Sequence, residues 1–483
     1  MTSFYRFRSL DALLGQRQEL ESQEIYFAAP DELNDPMEGY KDLIWNGDEI
    51  AWANLLRHYL LCLVQTFSAA AFLGQDYKPS LSRGFVFSSV SSLPTEILRG
   101  IYQEVRKEFF AREQISELPS LLAACRSPFR REGLEFILSA VHGIALAIII
   151  GMHRKNGRLP TPPAGVPEEA ATANPVASLV RVLERLKTDG ESMNQEALSA
   201  LFQTSSDLRR HHALGLYVGS DELARRLHSV FHGYPDEYLD ALGQLVYANW
   251  ATACFMSAEP TDAAMWAYYG DNHKGVCLRF AAQEGSAGPV MQLHGIRGWH
   301  SARGAPAPTY GDLKIPFEQV SYVDRLPEID FFRSIGRLPG PKLEETWYRG
   351  EGGKRSRCGE DVAGDNEQAW RDRYLKAFGQ LMKTKLTAWR SEAEYRLALS
   401  SPLGTFDDAS CRKLTYRFSD LERIVFGIRS PIDDKRRIIE IVDKKCRETG
   451  RSSFDFGQAA YNPRRGKIEI RAFQWSPGKP ASS

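Results

Sequence analysis

Two glutamates separated by one alanine, Glu392 and Glu394, stand between Arg390 and Arg396 in the run Thr387-Ala-Trp-Arg-Ser-Glu-Ala-Glu-Tyr-Arg-Leu397. Paired carboxylates on a rigid element can move a proton or stabilise a cationic, sugar-like transition state. If the run is a strand, its period of two puts Arg390, Glu392, Glu394 and Arg396 on one face, and Trp389, Ala393, Tyr395 and Leu397 face a core. If it is a helix, Arg390 with Glu394 and Glu392 with Arg396 are i,i+4 pairs, and a salt-bridged solvent face explains the same letters. On this stretch alone both readings stand.

Three other places carry residues suited to a site. Residues 4–8 alternate, with Phe4, Arg6 and Arg8 opposite Tyr5 and Phe7, as a short half-buried strand does. A second strand over 24–28 contains Tyr26 and runs into 30–38, where two prolines and the pair Asn34 and Asp35 demand a specific non-helical loop. Such a loop at a strand end either contacts a substrate or is a capped turn. Further on, Asp262 caps a short helix with Met265, Trp266 and Tyr269 on one side, and a turn over 271–275 presents His273 and Lys274 before a strand at 276–280. Aromatics beside that polar turn suit a pocket for a planar or anionic ligand, while for Trp266 a core-packed helix face is the rival reading.

The elements that must position these residues fall in two kinds of text. Strand-like patterns fill 1–45 and return over 248–483, the two parts of an α+β core. Between them, 46–247 reads as a helical insertion, with Trp52, Leu55, Leu56, Tyr59, Leu60 and Leu63 at helical spacing and a proline-rich linker at 159–175. A helix is expected over 10–21, loop over 285–312, a long flexible glycine-rich loop over 336–364, a helix over 366–385 and a frayed tail over 475–483.

Composition narrows the class. The chain has 483 residues, 43% of them apolar, and Lys plus Arg equals Asp plus Glu at 61 each, so no global field favours nucleic acid or an anionic membrane. The seven cysteines show no CxxC or other metal-ligand spacing, which fits a cytoplasmic, reducing location. No signal sequence opens the chain, and the apolar stretch at 133–152 includes Glu135 and His142, so it reads as a buried helix and no membrane span is expected. His228 and His232 are four apart, but Ser229 stands where a His-Glu-x-x-His site needs its glutamate, so these and His211 and His212 read as helix-surface residues with no metal.

Four blocks, at 5–8 with 25–38, 265–278, 389–396 and 421–427, resemble the bacterial family catalogued as domain of unknown function 2971. Its layout is similar to that of the ADP-ribosyltransferase superfamily, which implies a split mixed or antiparallel sheet core, here interrupted by the helical insertion. By that resemblance NAD is the substrate, and Tyr5 or Arg6, with Arg8 nearby, contacts its ribose or pyrophosphate. Tyr26 or Tyr269 stacks on nicotinamide, with Asn34, Asp35, Trp266, His273, Lys274 and Arg396 completing the binding set. Glu394 holds the ribose and Glu392 activates the acceptor, a macromolecule, protein or nucleic acid. The implied role is a transferase acting as a toxin or antiviral-defence effector. Two rivals accompany it: a non-catalytic nucleotide-sensing or protein-interaction module, and metal-dependent hydrolysis through Asp35, Glu38, Glu392 and Glu394.

Overall fold

The computed structural model describes residues 2–72, 85–159, 175–188, 195–219, 227–302, 305–360, 362 and 367–476. It is a mixed α+β protein that divides into two compact units. The first takes Met1–Tyr40, Ala248–Leu326 and Phe378–Ser483; the second takes Lys41–Tyr247 and Pro327–Ala377. Residues 327–377, expected in the C-terminal part of the core, therefore belong with the helices.

β1 (Ser3–Arg8), β2 (Glu24–Tyr26) and β3 (Asp42–Ile44) come first. β4 (Trp250–Met256), β5 (Val276–Ala281), β6 (Gln283–Gly285), β7 (Gly288–Ala302) and β8 (Ala305–Pro316) follow the helical stretch. Next are β9 (Glu318–Gln319), β10 (Ser321–Val323) and β11 (Glu328–Asp330). After the helix Glu367–Met382 come β12 (Thr384–Leu386), β13 (Glu394–Ser400) and β14 (Lys413–Tyr416). β15 (Leu421–Phe426), β16 (Phe454–Asn462) and β17 (Lys467–Trp475) complete the set.

In the first unit an eight-stranded sheet has the order β17-β16-β15-β5-β1-β4-β13-β9. Its neighbours are antiparallel except β15 and β16, which the helix Ile432–Thr449 joins as a parallel crossover. A second sheet, β2-β14-β7-β6 with β8 beside β7, faces it. Phe4, Ile25, Leu293, Leu414 and Phe456 are among the buried residues packed between them, and Phe4 stacks on Phe317 at 3.8 Å.

The large sheet splits at its centre. β1 is matched to β5 from Ser3 to Arg8 but meets β4 only at Tyr5 and Met256. Beyond that pair the free edge of β4, which stays matched to β13 on its other side, meets the chain after β2, where Ala28 and Thr252 exchange two backbone hydrogen bonds at 2.8 Å. A ladder that gives out in mid-sheet leaves a cleft walled by strand residues.

Several expected elements differ. The helix expected over 10–21 stops at Leu14, where Gly15 leaves the helical path (φ −81°, ψ −137°) in a conformation that would set a Cβ 2.5 Å from the Asp11 carbonyl oxygen. The 285–312 stretch is the β7–β8 hairpin, whose glycines and prolines sit in a long two-stranded arm with a register shift between Ile296 and Gly298. The 336–364 stretch, expected to be a flexible loop, holds short helical turns that bury Leu343, Trp347, Tyr348 and Cys358. Trp475, expected to fray, ends β17 and its Nε1 donates to Asp443. The linker at 159–175 falls almost wholly on 160–174, outside the described residues, as do 477–483.

The second unit is built on helices Glu49–Phe72, Glu96–Phe110, Arg131–Lys155, Pro175–Thr188, Gln195–Gly219 and Tyr234–Val246. Glu49–Phe72 and Arg131–Lys155 are long and apolar enough to cross a membrane, yet 78% and 67% of their apolar windows are buried inside the fold. Their interior carries polar hooks. His58 bonds the Tyr238 hydroxyl at 2.8 Å and the Val86 carbonyl at 3.0 Å, and His142 bonds Tyr59 at 2.8 Å and the Val230 carbonyl at 2.9 Å.

Candidate functional site

The Glu392–Glu394 stretch is neither the uniform strand nor the helix that its letters allow. Thr387–Glu392 is a 3-10 turn, Ala393 takes a left-handed conformation (φ 44°), and the strand begins at Glu394. That kink aims both carboxylates into the cleft and leaves Arg390, expected on the same face, exposed to solvent. Ala393, expected to face the core, is exposed as well.

The cleft is a cavity of about 330 Å³ between β1 and β4. Its basic wall is Arg6, Arg8 and Arg17, its acidic wall Glu392 and Glu394, and β4 from Thr252 to Met256 forms the floor. Of the residues expected at a site, Tyr5, Arg6, Arg8, Tyr26, Asn34 and Tyr269 line it together with Glu392, Glu394 and Arg396. Segments more than 350 positions apart thus converge on one space.

Four expected residues do not line it. Trp266 is fully buried, donates from Nε1 to the Pro260 carbonyl at 2.7 Å and packs edge-on against Phe7. It is core, the rival reading of its letter. Asp35 is buried and accepts the Met37 amide at 2.9 Å, so it shapes the loop. His273 and Lys274 sit on the 271–275 turn, where Asp271, Asn272 and His273 all have positive φ and the His273 carbonyl accepts the Arg429 amide. This turn packs on the end of β15, away from the cavity, and Lys274 is exposed.

The acidic wall is a chain of ion pairs. Lys385 Nζ lies 2.7 Å from Glu392 and 3.3 Å from Glu394. Arg396 Nε donates to Glu394 at 2.7 Å, while its two terminal nitrogens reach Glu38 at 2.7 Å each. The Tyr269 hydroxyl donates a short hydrogen bond to Glu392. Burial pushes Glu392 above the usual carboxylate range, against the pull of Lys385 and Tyr269. Burial acts the same way on Glu394, but Arg396 beside it wins and holds this carboxyl below its ordinary value. Two neighbouring carboxyls with pKa values pushed apart are the arrangement from which acid and base roles are assigned.

The basic wall has a loose end. Arg6 is 6% exposed, and one terminal nitrogen donates to the Tyr26 carbonyl at 2.8 Å while the other is buried with no partner. Burial, with Arg8 adding to it, lowers the Arg6 pKa to about 10, which leaves the charge in place at neutral pH. An unanswered guanidinium donor in a cavity wall suits an anionic oxygen from a ligand. Arg17 and Arg412 lie over the Tyr26 ring at 4.6 and 5.5 Å, and its hydroxyl donates to Glu32, so this tyrosine is already held.

Comparison with family models, curated proteins and solved structures finds no match.

Sequence reasoning missed Lys385, Arg17 and Glu32. Lys385 was expected at the end of a helix, but the helix stops at Met382 and Lys385 lies on β12, paired in parallel with β10. Nothing in its neighbours marks it as buried. Glu32 lies inside the flagged 30–38 loop, where its spacing from Tyr26 offered a signal. Among the described residues no cluster of His, Cys, Asp and Glu is placed to hold a metal ion, and His228 and His232 instead pack ring to ring at 5.0 Å.

Proposed function

We propose that the cleft between β1 and β4 takes NAD as a substrate and that the chain transfers ADP-ribose to a macromolecular acceptor. One observation carries the reading: Arg6, with its unpartnered nitrogen, and the Glu392–Glu394 pair line one cavity. At about 330 Å³ the cavity is at the small end of ligand sites, roughly 300–1,000 Å³, with room for one half of a dinucleotide. The reading also rests on the sequence resemblance, in which an early basic and aromatic strand precedes a late Glu-x-Glu stretch.

The chemistry assigns each side chain a task. As the bond between the ribose C1′ and the nicotinamide nitrogen breaks, its electron pair leaves with nicotinamide and positive charge develops on the ribose. Glu394, kept ionised by Arg396, supplies a fixed negative charge there. The acceptor's nucleophile gives its electron pair to C1′ and its proton passes to Glu392, whose pKa, raised by burial, makes it a stronger base than an ordinary carboxylate. Arg6 binds the pyrophosphate.

A second reading keeps the ligand and drops the reaction. Both oxygens of Glu394 are engaged, by Arg396 and Lys385, which favours a module that binds a nucleotide without turning it over. Nicotinamide release from NAD by the full chain, measured beside NAD binding, separates the two. Release that falls roughly 10²–10³-fold in Glu394→Gln, with melting temperature unchanged, is the expected result. Release unaltered in that variant removes the role, and binding with no release assigns the second reading.

A further inference from the structure

The helical unit holds a cavity of its own, about 610 Å³, walled by helix Glu49–Phe72, helix Glu96–Phe110 and residues 341–351. One arginine comes from each wall: Arg57, Arg106 and Arg349. Arg57 donates to Asn54 at 2.8 Å and pairs with Glu351 at 3.2 Å, but its Nε is buried and has no partner. Among the described residues neither Arg106 nor Arg349 has a side-chain acceptor.

The three acids of this cavity answer those charges only in part. Glu351 is taken by Arg57 and Glu344 by Arg355, while Glu345 accepts a hydroxyl from Ser91 at 3.2 Å. Arg57 is held below its ordinary pKa by burial and, against the pull of Glu351, by the charge of Arg106. Arg106 and Arg349, with no side-chain acceptor among the described residues, keep guanidinium donors available to the oxygens of an anion. A carboxylate has two oxygens and serves one fork well, whereas an oligophosphate offers enough oxygens for three. Leu61, one helical turn from Arg57, and Tyr102, one turn from Arg106, add apolar and aromatic lining with Val90 and Pro341.

We propose that this cavity is a binding site for a phosphorylated small molecule of nucleotide size, its phosphates bridging Arg57, Arg106 and Arg349 and its organic part lying against Tyr102 and Leu61. The site is separate from the β1–β4 cleft and does not depend on the reaction proposed there.

Calorimetric titration of the full chain with ATP, with tripolyphosphate as a competitor, tests it. The expected result is saturable ATP binding that tripolyphosphate displaces, that weakens with added salt, and that falls about tenfold or more in Arg106→Gln/Arg349→Gln. Arg436→Gln, on an exposed face of the helix Ile432–Thr449, leaves this binding unchanged. Should the double variant not fold, Arg349→Gln alone, at an exposed position, is expected to weaken binding severalfold. Absence of ATP binding, or affinity unmoved by the Arg106 and Arg349 variants, overturns the site.

Discussion

Arg396 and Glu38, 358 positions apart in sequence, form a two-pronged ion pair at 2.7 Å on each arm, with both side chains 1% exposed. The pair ties the loop after β2 to β13 and fixes the guanidinium that in turn holds Glu394. Removing one partner strands a buried charge, which costs far more than the pair gains. Glu38→Gln is expected to lower unfolding free energy by roughly 3 kcal/mol, the low end for a broken buried pair because Glu394 still faces Arg396. Urea unfolding measures this, and a loss below the noise would show that water reaches the guanidinium.

Tyr269 holds the Glu392 carboxyl down against the effect of burial. Tyr269→Phe removes the donor, so Glu392 is expected to titrate at higher pH than in the parent, and the acid limb of any turnover moves up with it. Carbon-13 NMR of glutamate side chains follows the titration without relying on activity. A titration that stays put or moves down contradicts the arrangement.

Acid should loosen the helical unit before it strips the carboxylates. Burial lowers the pKa of His58 and of His142 from 6.5 to about 4. Both are neutral when folded and gain a proton on unfolding, so their contribution is present above about 6.5 and is lost as pH falls toward 4. Midpoints of urea unfolding at pH 7, 5.5 and 4.5 are expected to fall in that order. His58→Gln and His142→Gln together should flatten the trend, and a parent protein equally stable at the three values would remove the explanation.

Two glycines make a paired test of packing. At Gly427 a Cβ would lie 2.2 Å from the His273 carbonyl oxygen, so Gly427→Ala must push strand and turn apart, at roughly 1–3 kcal/mol. At Gly100, inside helix Glu96–Phe110, a Cβ meets nothing within 4 Å, and Gly100→Ala is expected to stabilise by roughly 0.5–1 kcal/mol. Melting temperatures moving in opposite directions meet the expectation. A tolerated alanine at 427 would mean that the turn yields.

What was legible in the sequence follows the physics of each signal. Strands with clean alternation, such as β1 and β5, were found almost to the residue, and Asp262 does cap its helix, because both signals are local. The β7–β8 hairpin was hidden because its inward residues Met291, Leu293 and Ile315 are few and lie among glycines and prolines that read as loop. Trp347 and Tyr348 were hidden among glycines and charges, although they are fully buried. At the site, Glu392 and Glu394 were visible from their spacing, but their setting was not. A left-handed Ala393 and a lysine seven positions upstream place them, and neither is written in a period of two or of 3.6. Trp266 shows the opposite error, an aromatic beside a polar turn whose indole is spent on the core.

The cleft between β1 and β4 also has an order in time. Its basic wall is translated within the first 40 residues and its acidic wall only at Glu392 and Glu394. At ~5–20 residues per second the ribosome needs roughly 20 to 70 s to travel from Glu38 to Glu392. Throughout that interval the nascent protein carries only part of the cavity lining, and a chain that ends before Glu392 lacks both carboxylates of the acidic wall.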